Sequence, residues 1–153
     1  MSNDPSNTRA NDATGGSREE QNKAVVLRFN REVLERGDEA AFRSLTAEGF
    51  VNHTAPRGTP RGADGFWHRL EKELRPALGG LRVEIHAQIA EGDLVTTRKT
   101  LHATHAGTLM GVAATNRPVA IDVIDILRVV DGRCVEHWGV NTLASVVAGL
   151  REG

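Results

Sequence analysis

One alternating stretch near the end of the chain, VAIDVIDILRVV at 119–130, constrains the fold more than any other feature. Every second residue from Val119 to Val129 is apolar except Asp125, and this alternation predicts a β-strand with one buried face. An ionised carboxylate is costly to bury without a partner. The stretch therefore predicts a sheet with an apolar face, and a partner, a shifted pKa or a wet cavity at Asp125.

Helical signals come first along the chain. Ser17 and Glu20 form a Ser-x-x-Glu capping box that predicts the start of the first helix, and Gly37 is placed to end it. Three further helices are predicted: one begins after Asp38, one spans 64–75, and the last spans 142–150.

The second half of the chain has strand periodicity. Residues 81–90 alternate apolar and polar, and turn signals at 91–93, 115–118 and 131–132 separate three further strands. A short strand is also predicted within GFVNHTAP. Helices followed by a meander of strands predict an α+β fold. We expect a cone-shaped barrel: a curved antiparallel sheet wrapped over about three N-terminal helices, a pocket between them, and a short C-terminal helix.

Composition narrows the class of protein. The 19 Lys and Arg against 20 Asp and Glu give a net charge of -1, which argues against a nucleic-acid partner. The single cysteine, Cys134, excludes an internal disulfide and fits a reducing cytoplasm. No apolar run approaches the roughly 20 residues that span a bilayer, and no signal-peptide core is present. We expect a cytoplasmic protein without a membrane partner, with a disordered tail at 1–16 and a single domain at 17–153.

The residue that faces Asp125 depends on the turn at Asp131-Gly132. A two-residue loop would place Trp138 opposite Asp125, whereas a three-residue loop with a glycine bulge would place His137 there. We favour the three-residue loop, because it gathers the pocket candidates on one face. An aspartate and a histidine on adjacent strands can share a hydrogen bond and transfer a proton near neutral pH. The alternative is a buried pair that only holds the strand register.

Four stretches carry a family resemblance: NKAVVLRFNREVLERGD, FVNHTAP, AEGDLVTTRKTLHATHAGTLMGV and DILRVVDGRCVEHW. In this order they resemble the SnoaL-like polyketide cyclase family, within the cone-shaped fold of nuclear transport factor 2 and scytalone dehydratase. The resemblance covers about 20–150. It implies a hydrophobic cavity, a homodimer, and acid/base chemistry on hydrophobic aromatic polyketides with neither metal nor bound cofactor.

The chain departs from the anthracycline-type cyclases of that family at three positions. Alignment through the Asp-Gly turn places Gly139 at their catalytic aspartate, Asp125 at their histidine and Val123 at their glutamine, while Asn52 matches a pocket asparagine. Some relatives without that aspartate are regarded as ring hydroxylases, and the chain resembles that branch more closely. We expect ring hydroxylation with molecular oxygen and a separate reductase. An intramolecular aldol cyclase and a non-catalytic small-molecule binder are the alternatives.

Asp125 and His137 are the predicted catalytic pair. The predicted substrate-binding residues are Asn52, His53, Trp67, Arg98, His105, Met110, Val123 and Asn141. The two histidines of that set can instead orient loops, the arginine can form a strand salt bridge, and the tryptophan and methionine can belong to the core. Alternation places His102 and His105 on opposite faces without a carboxylate to complete a ligand set, so no metal site is expected.

Overall fold

Capping and a glycine stop determine the first helix. The structure is a computed structural model that describes residues 16–153, so residues 1–15 of the predicted tail lie outside the described range. Helix α1 runs over Arg18–Arg28 and continues as a π-helix over Phe29–Glu35. The Ser17 hydroxyl accepts a hydrogen bond from the Glu20 backbone N–H at 3.2 Å, and Gly37 follows with a φ of +67°. Both predicted ends are confirmed.

The remaining helices cover the inner face of the sheet. Asp38 caps the second helix, because its Oδ1 accepts from the Ala41 N–H at 3.0 Å. The third helix extends beyond its predicted end, with Pro76 inside its last turn. These helices are α2 (Glu39–Leu45), α3 (Ala63–His68, Arg69–Leu74 in π form, and Arg75–Ala77) and α4 (Leu143–Glu152).

Five strands form one open sheet in the order β1-β5-β4-β3-β2. Neighbouring strands are antiparallel except β1 and β5, which are parallel. The strands are β1 (Thr46–Asn52), β2 (Leu78–Glu91), β3 (Leu94–His105), β4 (Pro118–Val130) and β5 (Arg133–Asn141). The α+β prediction, with a curved sheet, N-terminal helices and a short C-terminal helix, is confirmed.

Two apolar clusters pack against the inner face of the sheet. One includes Phe42, Phe50 and Leu127, with residues of α1–α3, and the other includes Ile121 of β4 and Val147 of α4. Each fully buried large apolar side chain contributes about 1.5–3 kcal/mol. The alternate apolar residues of β4 are buried except for a half-buried valine, and the aspartate among them is buried too.

The turn between β4 and β5 differs from the favoured prediction. Val130 pairs with Arg133, so the loop contains only two residues. These are Asp131 and Gly132, with φ of 51° and 75°. Positive φ at both positions is typical of a type I′ turn, whose twist matches that of a hairpin.

A bulge in β5 follows this turn. Val129 pairs with Cys134, but Arg128 pairs with Glu136, which leaves Val135 as an extra residue between the two pairs. An extra residue in one strand shifts the pairing of everything beyond it by one position.

The bulge decides which residue faces Asp125. Gly139 lies directly opposite it, and Trp138 pairs with the following residue, Ile126. The predicted three-residue loop and the direct pairing of Asp125 with His137 are therefore wrong, because the extra residue lies in the strand and not in the loop. The predicted shared face is confirmed, since the two side chains approach to 3.4 Å.

None of the helices within 16–153 is both long and apolar enough to cross a bilayer.

Candidate functional site

A buried ion pair lies at the centre of the inner face. Lys99 Nζ is 3.0 Å from Asp125 Oδ2 and donates a hydrogen bond to Asn30 Oδ1 at 2.7 Å. Their exposed fractions are 3% for Lys99, 6% for Asp125 and 1% for Asn30. Asn30 is itself held by α1, because its side-chain amide donates to the Val26 carbonyl at 2.9 Å. The sequence predicted a partner for the Asp125 carboxylate. The structure has one, and it is mainly the Lys99 ammonium.

The charge balance keeps Asp125 ionised. Burial alone would raise the pKa of its carboxyl group, but the Lys99 ammonium and the His137 imidazole offset this and hold the pKa below its ordinary value. One carboxylate oxygen, Oδ1, is buried without a hydrogen-bond partner within 16–153. Asp125 is thus a fixed negative charge beside His137.

Asn52 determines where His137 carries its proton. Asn52 Oδ1 accepts a hydrogen bond from the Thr54 backbone N–H at 3.2 Å, which identifies this atom as the amide oxygen. His137 Nδ1 lies 2.9 Å from the same oxygen and must donate to it. The ring's other nitrogen, Nε2, is 3.4 Å from Asp125 Oδ2, longer than an ordinary hydrogen bond. Nε2 is therefore the nitrogen that is available to exchange a proton.

Gly139 leaves one edge of the imidazole uncovered. A Cβ placed on Gly139 would lie 3.1 Å from His137 Cε1 and 3.4 Å from both His137 Nε2 and Asp125 Cβ. A side chain at this position would therefore cover the Cε1–Nε2 edge of the ring. Gly139 and His137 both line a cavity, so the glycine leaves space beside the ring at the cavity wall.

The cavity lies between the sheet and helices α3 and α4. Its volume is about 340 Å³, and a neighbouring cavity of about 370 Å³ shares Asn52, Pro56, Phe66 and Arg69 with it. The Phe66 ring meets the His137 ring edge to face, with centroids 6.0 Å apart. The main cavity is lined by Leu34, Asn52, Thr54, Pro56, Phe66, Arg69, Leu70, Leu74, Met110, Val123, His137, Gly139, Asn141, Leu143 and Ala144.

Four of the predicted substrate-binding residues meet at this cavity. Asn52, Met110, Val123 and Asn141 all line it, together with His137. Met110 is 54% exposed and lies at the edge, while the Asn141 side chain accepts from the first N–H of α4 at 2.9 Å. Asp125 lies behind His137 and does not reach the cavity wall.

The other four lie elsewhere. His53 is on the outer face, 3.1 Å from Glu136, with its ring stacked on Trp138. Trp67 is buried in the core, and Arg98 is exposed on the outer face because it alternates with buried neighbours of β3. His105 is fully buried and orients a loop, through Thr115 Oγ1 at 2.9 Å and the Val112 carbonyl at 3.2 Å.

Two residues of the cluster were missed from the sequence. Lys99 shares its strand face with Val95, Thr97 and Leu101, so alternation places a second charge on the buried face of the sheet. Alternation therefore favours Lys99 for the site over the adjacent Arg98, which was the residue predicted. Asn30 has no comparable signal, because only the packing of α1 over the sheet brings it to the lysine.

Cys134 packs in the core, and the described residues contain no candidate metal site. Cys134 is fully buried in the core, where burial raises the pKa of its thiol to about 12, and Asp125 adds to the effect. It is a packing residue of the core. Within 16–153, no three His, Cys, Asp or Glu side chains are grouped so as to hold a metal ion.

A family comparison covers most of the chain. Residues 24–150 match the family described as SnoaL-like polyketide cyclase. No curated protein matches the chain significantly.

Solved structures of similar fold include two above 25% identity. AclR, a proposed hydroxylase from Streptomyces galilaeus, is 27% identical with a TM-score of 0.76, over 88% of this chain and 98% of that one. IdmH, a proposed polyketide cyclase from Streptomyces antibioticus, is 29% identical with a TM-score of 0.71, over 86% and 99%. A SnoaL-like protein from Jannaschia sp. CCS1, at 22% identity and TM-score 0.77 over 91% and 99%, adds likeness of fold alone.

Proposed function

Because the chain belongs to the SnoaL-like polyketide cyclase family, we propose that it is an enzyme that modifies a polycyclic aromatic polyketide by acid/base chemistry at His137. One observation carries the proposal: His137 lines the cavity with its Nδ1 held by Asn52, and no Cβ at Gly139 covers the Nε2 edge of its ring. A histidine held in one orientation with one nitrogen accessible is suited to general acid/base catalysis.

Each neighbour of His137 has a distinct part in the proposed chemistry. Asp125 acts as a positioning residue, because its charge lies beside Nε2 but is buried away from the cavity wall. The Asn52 oxygen is turned toward Thr54 and His137, and its amide nitrogen has no hydrogen-bond partner within 16–153. That nitrogen can donate to a substrate carbonyl and stabilise the enolate that forms when a proton leaves the adjacent carbon.

Ring hydroxylation is the reaction that we propose first. His137 removes a proton from a phenol or enol, and the resulting anion reacts with molecular oxygen. One oxygen atom enters the ring, the other leaves as water, and a separate reductase supplies the electron pair. Two observations support this version: glycine at 139, where the resemblance expects the cyclases' aspartate, and the 27% identity to AclR.

Intramolecular aldol cyclisation is the second candidate, supported by the 29% identity to IdmH. Here the same histidine would remove a proton from the carbon beside an ester carbonyl. The new carbon–carbon bond would form to a second carbonyl, whose oxygen takes up the proton. No oxidant is consumed, and the substrate mass does not change.

The two candidates separate by product mass. Purified protein is incubated with an anthracycline intermediate, with and without oxygen and a reductase, and the products are analysed by mass spectrometry. We expect a product heavier by one oxygen atom, formed only when both are present. A product of unchanged mass with one more ring would favour the cyclase instead.

Substitution of His137 tests the shared chemistry. We expect His137→Gln to lower kcat by at least about a hundredfold, the scale of a lost general acid/base. His102→Gln is the matched control, because His102 is half-buried on the outer face and pairs with Glu84. Unchanged turnover in His137→Gln would refute the mechanism, and ligand binding without turnover in the native protein would identify a binding protein.

A further inference from the structure

The cavity wall has an uneven distribution of charge. Of the residues that line it, all within 16–153, only Arg69 and His137 have titratable side chains, and no carboxylate is among them. Arg69 comes from α3 and His137 from β5, so the two groups approach the cavity from the helix layer and from the sheet.

Arg69 has donors to spare. Its Nη1 donates to Glu73 Oε2 at 3.1 Å, in an i,i+4 pair on α3 whose side chains are 34% and 55% exposed. This is its one hydrogen bond within 16–153. A guanidinium has five N–H donors in a planar fork, so most of its capacity is open to a ligand. An exposed pair of this kind is weak and is easily exchanged for a better partner.

The buried charges behind the cavity wall do not neutralise the positive charge of Arg69. Asp125 is paired with Lys99 at 3.0 Å, so these two formal charges sum to zero. Asp64 and Glu73 line neighbouring cavities and not this one. A ligand in the cavity therefore meets a positive arginine and a histidine with no carboxylate exposed on the wall.

We infer that the substrate of this cavity is an aromatic carboxylate whose carboxylate group Arg69 binds. The inference rests on the proposed function, since it names the substrate class of the same site. The planar fork of arginine matches a carboxylate in a bidentate arrangement, and such charge-assisted bonds are stronger than neutral ones. A neutral ester of the same ring system offers no charge to pair with Arg69.

Binding of two matched probes tests this assignment without turnover. The probes are anthraquinone-2-carboxylate and its methyl ester, and affinity is measured by quenching of tryptophan fluorescence. In the native protein we expect the acid to bind about tenfold or more tightly than the ester, the scale of a hydrogen bond to a charged group. Arg69→Gln should remove this preference and leave the affinity for the ester unchanged within about twofold.

Two further variants sharpen the comparison. Glu73→Gln should strengthen binding of the acid, because it removes the group that competes for the guanidinium. Arg28→Gln is the matched control, since Arg28 forms the same kind of i,i+4 pair with Glu32 on α1 and does not line the cavity. We expect it to leave both affinities unchanged.

Three results would overturn the inference. They are an ester that binds as tightly as the acid, an equal loss for both probes in Arg69→Gln, and no binding of the acid at all. The proposed function is judged separately, by turnover of the His137 variant. Arg69-dependent binding without turnover would retain the substrate class and refute the reaction, whereas turnover with no acid preference would do the opposite.

Discussion

At the scale of single residues, Lys99 controls the electrostatics of the site. Its ammonium is 3% exposed and lies 3.0 Å from the Asp125 carboxylate, which is deprived of water by the same packing. Without Lys99, burial would act on Asp125 with only His137 to oppose it. The lysine therefore makes it possible for a charged aspartate to lie beneath the histidine.

The first prediction concerns removal of that lysine. Lys99→Met leaves Asp125 as a buried carboxylate without its cation, and breaking a buried pair in this way costs about 3–5 kcal/mol of the free energy of unfolding. The pKa of Asp125 should rise above its unfolded value. Since a raised carboxyl pKa stabilises the protonated folded form, the loss should be largest at neutral pH and shrink as pH falls through that pKa.

Urea unfolding at pH 8 and at pH 4 measures this effect. The double variant Lys99→Met with Asp125→Asn is the control, because it removes both charges together and should recover part of the loss at pH 8. An equal loss at both pH values would show that the methionine merely packs poorly, and the account of the ion pair would be wrong.

At the scale of secondary-structure elements, the β5 bulge determines the geometry of the site. Val135 is the extra residue, and beyond it Gly139 pairs with Asp125. The His137 ring can then extend over the glycine toward the aspartate, because no Cβ occupies that space. The two-residue turn and the bulge together place Asp125 and His137 on one face, whereas the sequence predicted that a three-residue turn alone would do so.

The second prediction concerns the turn that precedes the bulge. Gly132 has a φ of 75°, and a Cβ in the left-handed region costs about 1–2 kcal/mol. Gly132→Ala should lower the free energy of unfolding by about this amount, measured in urea. NMR contacts between Asp125 and Gly139 should persist, since the bulge lies outside the loop.

Gly49→Ala is the matched control for this variant. Gly49 is exposed in β1, does not have positive φ, and a Cβ there would meet no atom within 4 Å. We expect the free energy of unfolding of the Gly49→Ala variant to be unchanged or slightly raised. If Gly132→Ala were equally harmless, the loop would not require a type I′ turn.

At the scale of the whole molecule, the cavity exists because the helices leave part of the inner face of the sheet uncovered. Helices α1–α3 cover one part of the inner face and α4 covers another, each with its own apolar cluster. His137 lies where the cavity opens between these covered regions, bordered by Leu70 of α3 and Leu143 of α4. Binding in a pocket between layers is common in folds of this kind.

The homodimer implied by the family resemblance stays a prediction. Sedimentation velocity at micromolar concentration tests it, and we expect a mass of about twice the 16.5 kDa of the chain. A single monomeric species over the whole accessible concentration range would contradict it.

The sequence by itself determined the class of the fold and most of its elements. Caps such as Ser17 and stops such as Gly37 act over three or four residues, and the alternation along β4 reports burial directly, so these were readable without coordinates. The face shared by Asp125 and His137 was predicted through a three-residue loop that the structure does not have, so the right face was reached from the wrong register.

Only the tertiary structure decided which residues of the site contact one another. The Val135 bulge, and with it the partner of Asp125, depends on pairing between two strands, which a local pattern does not record. Asn30 and Arg69 reach the site because helices from the first half of the chain pack over strands from the second, and Lys99 meets Asp125 because β3 pairs with β4. Their roles come from distances between remote segments, and no local preference of the chain encodes those distances.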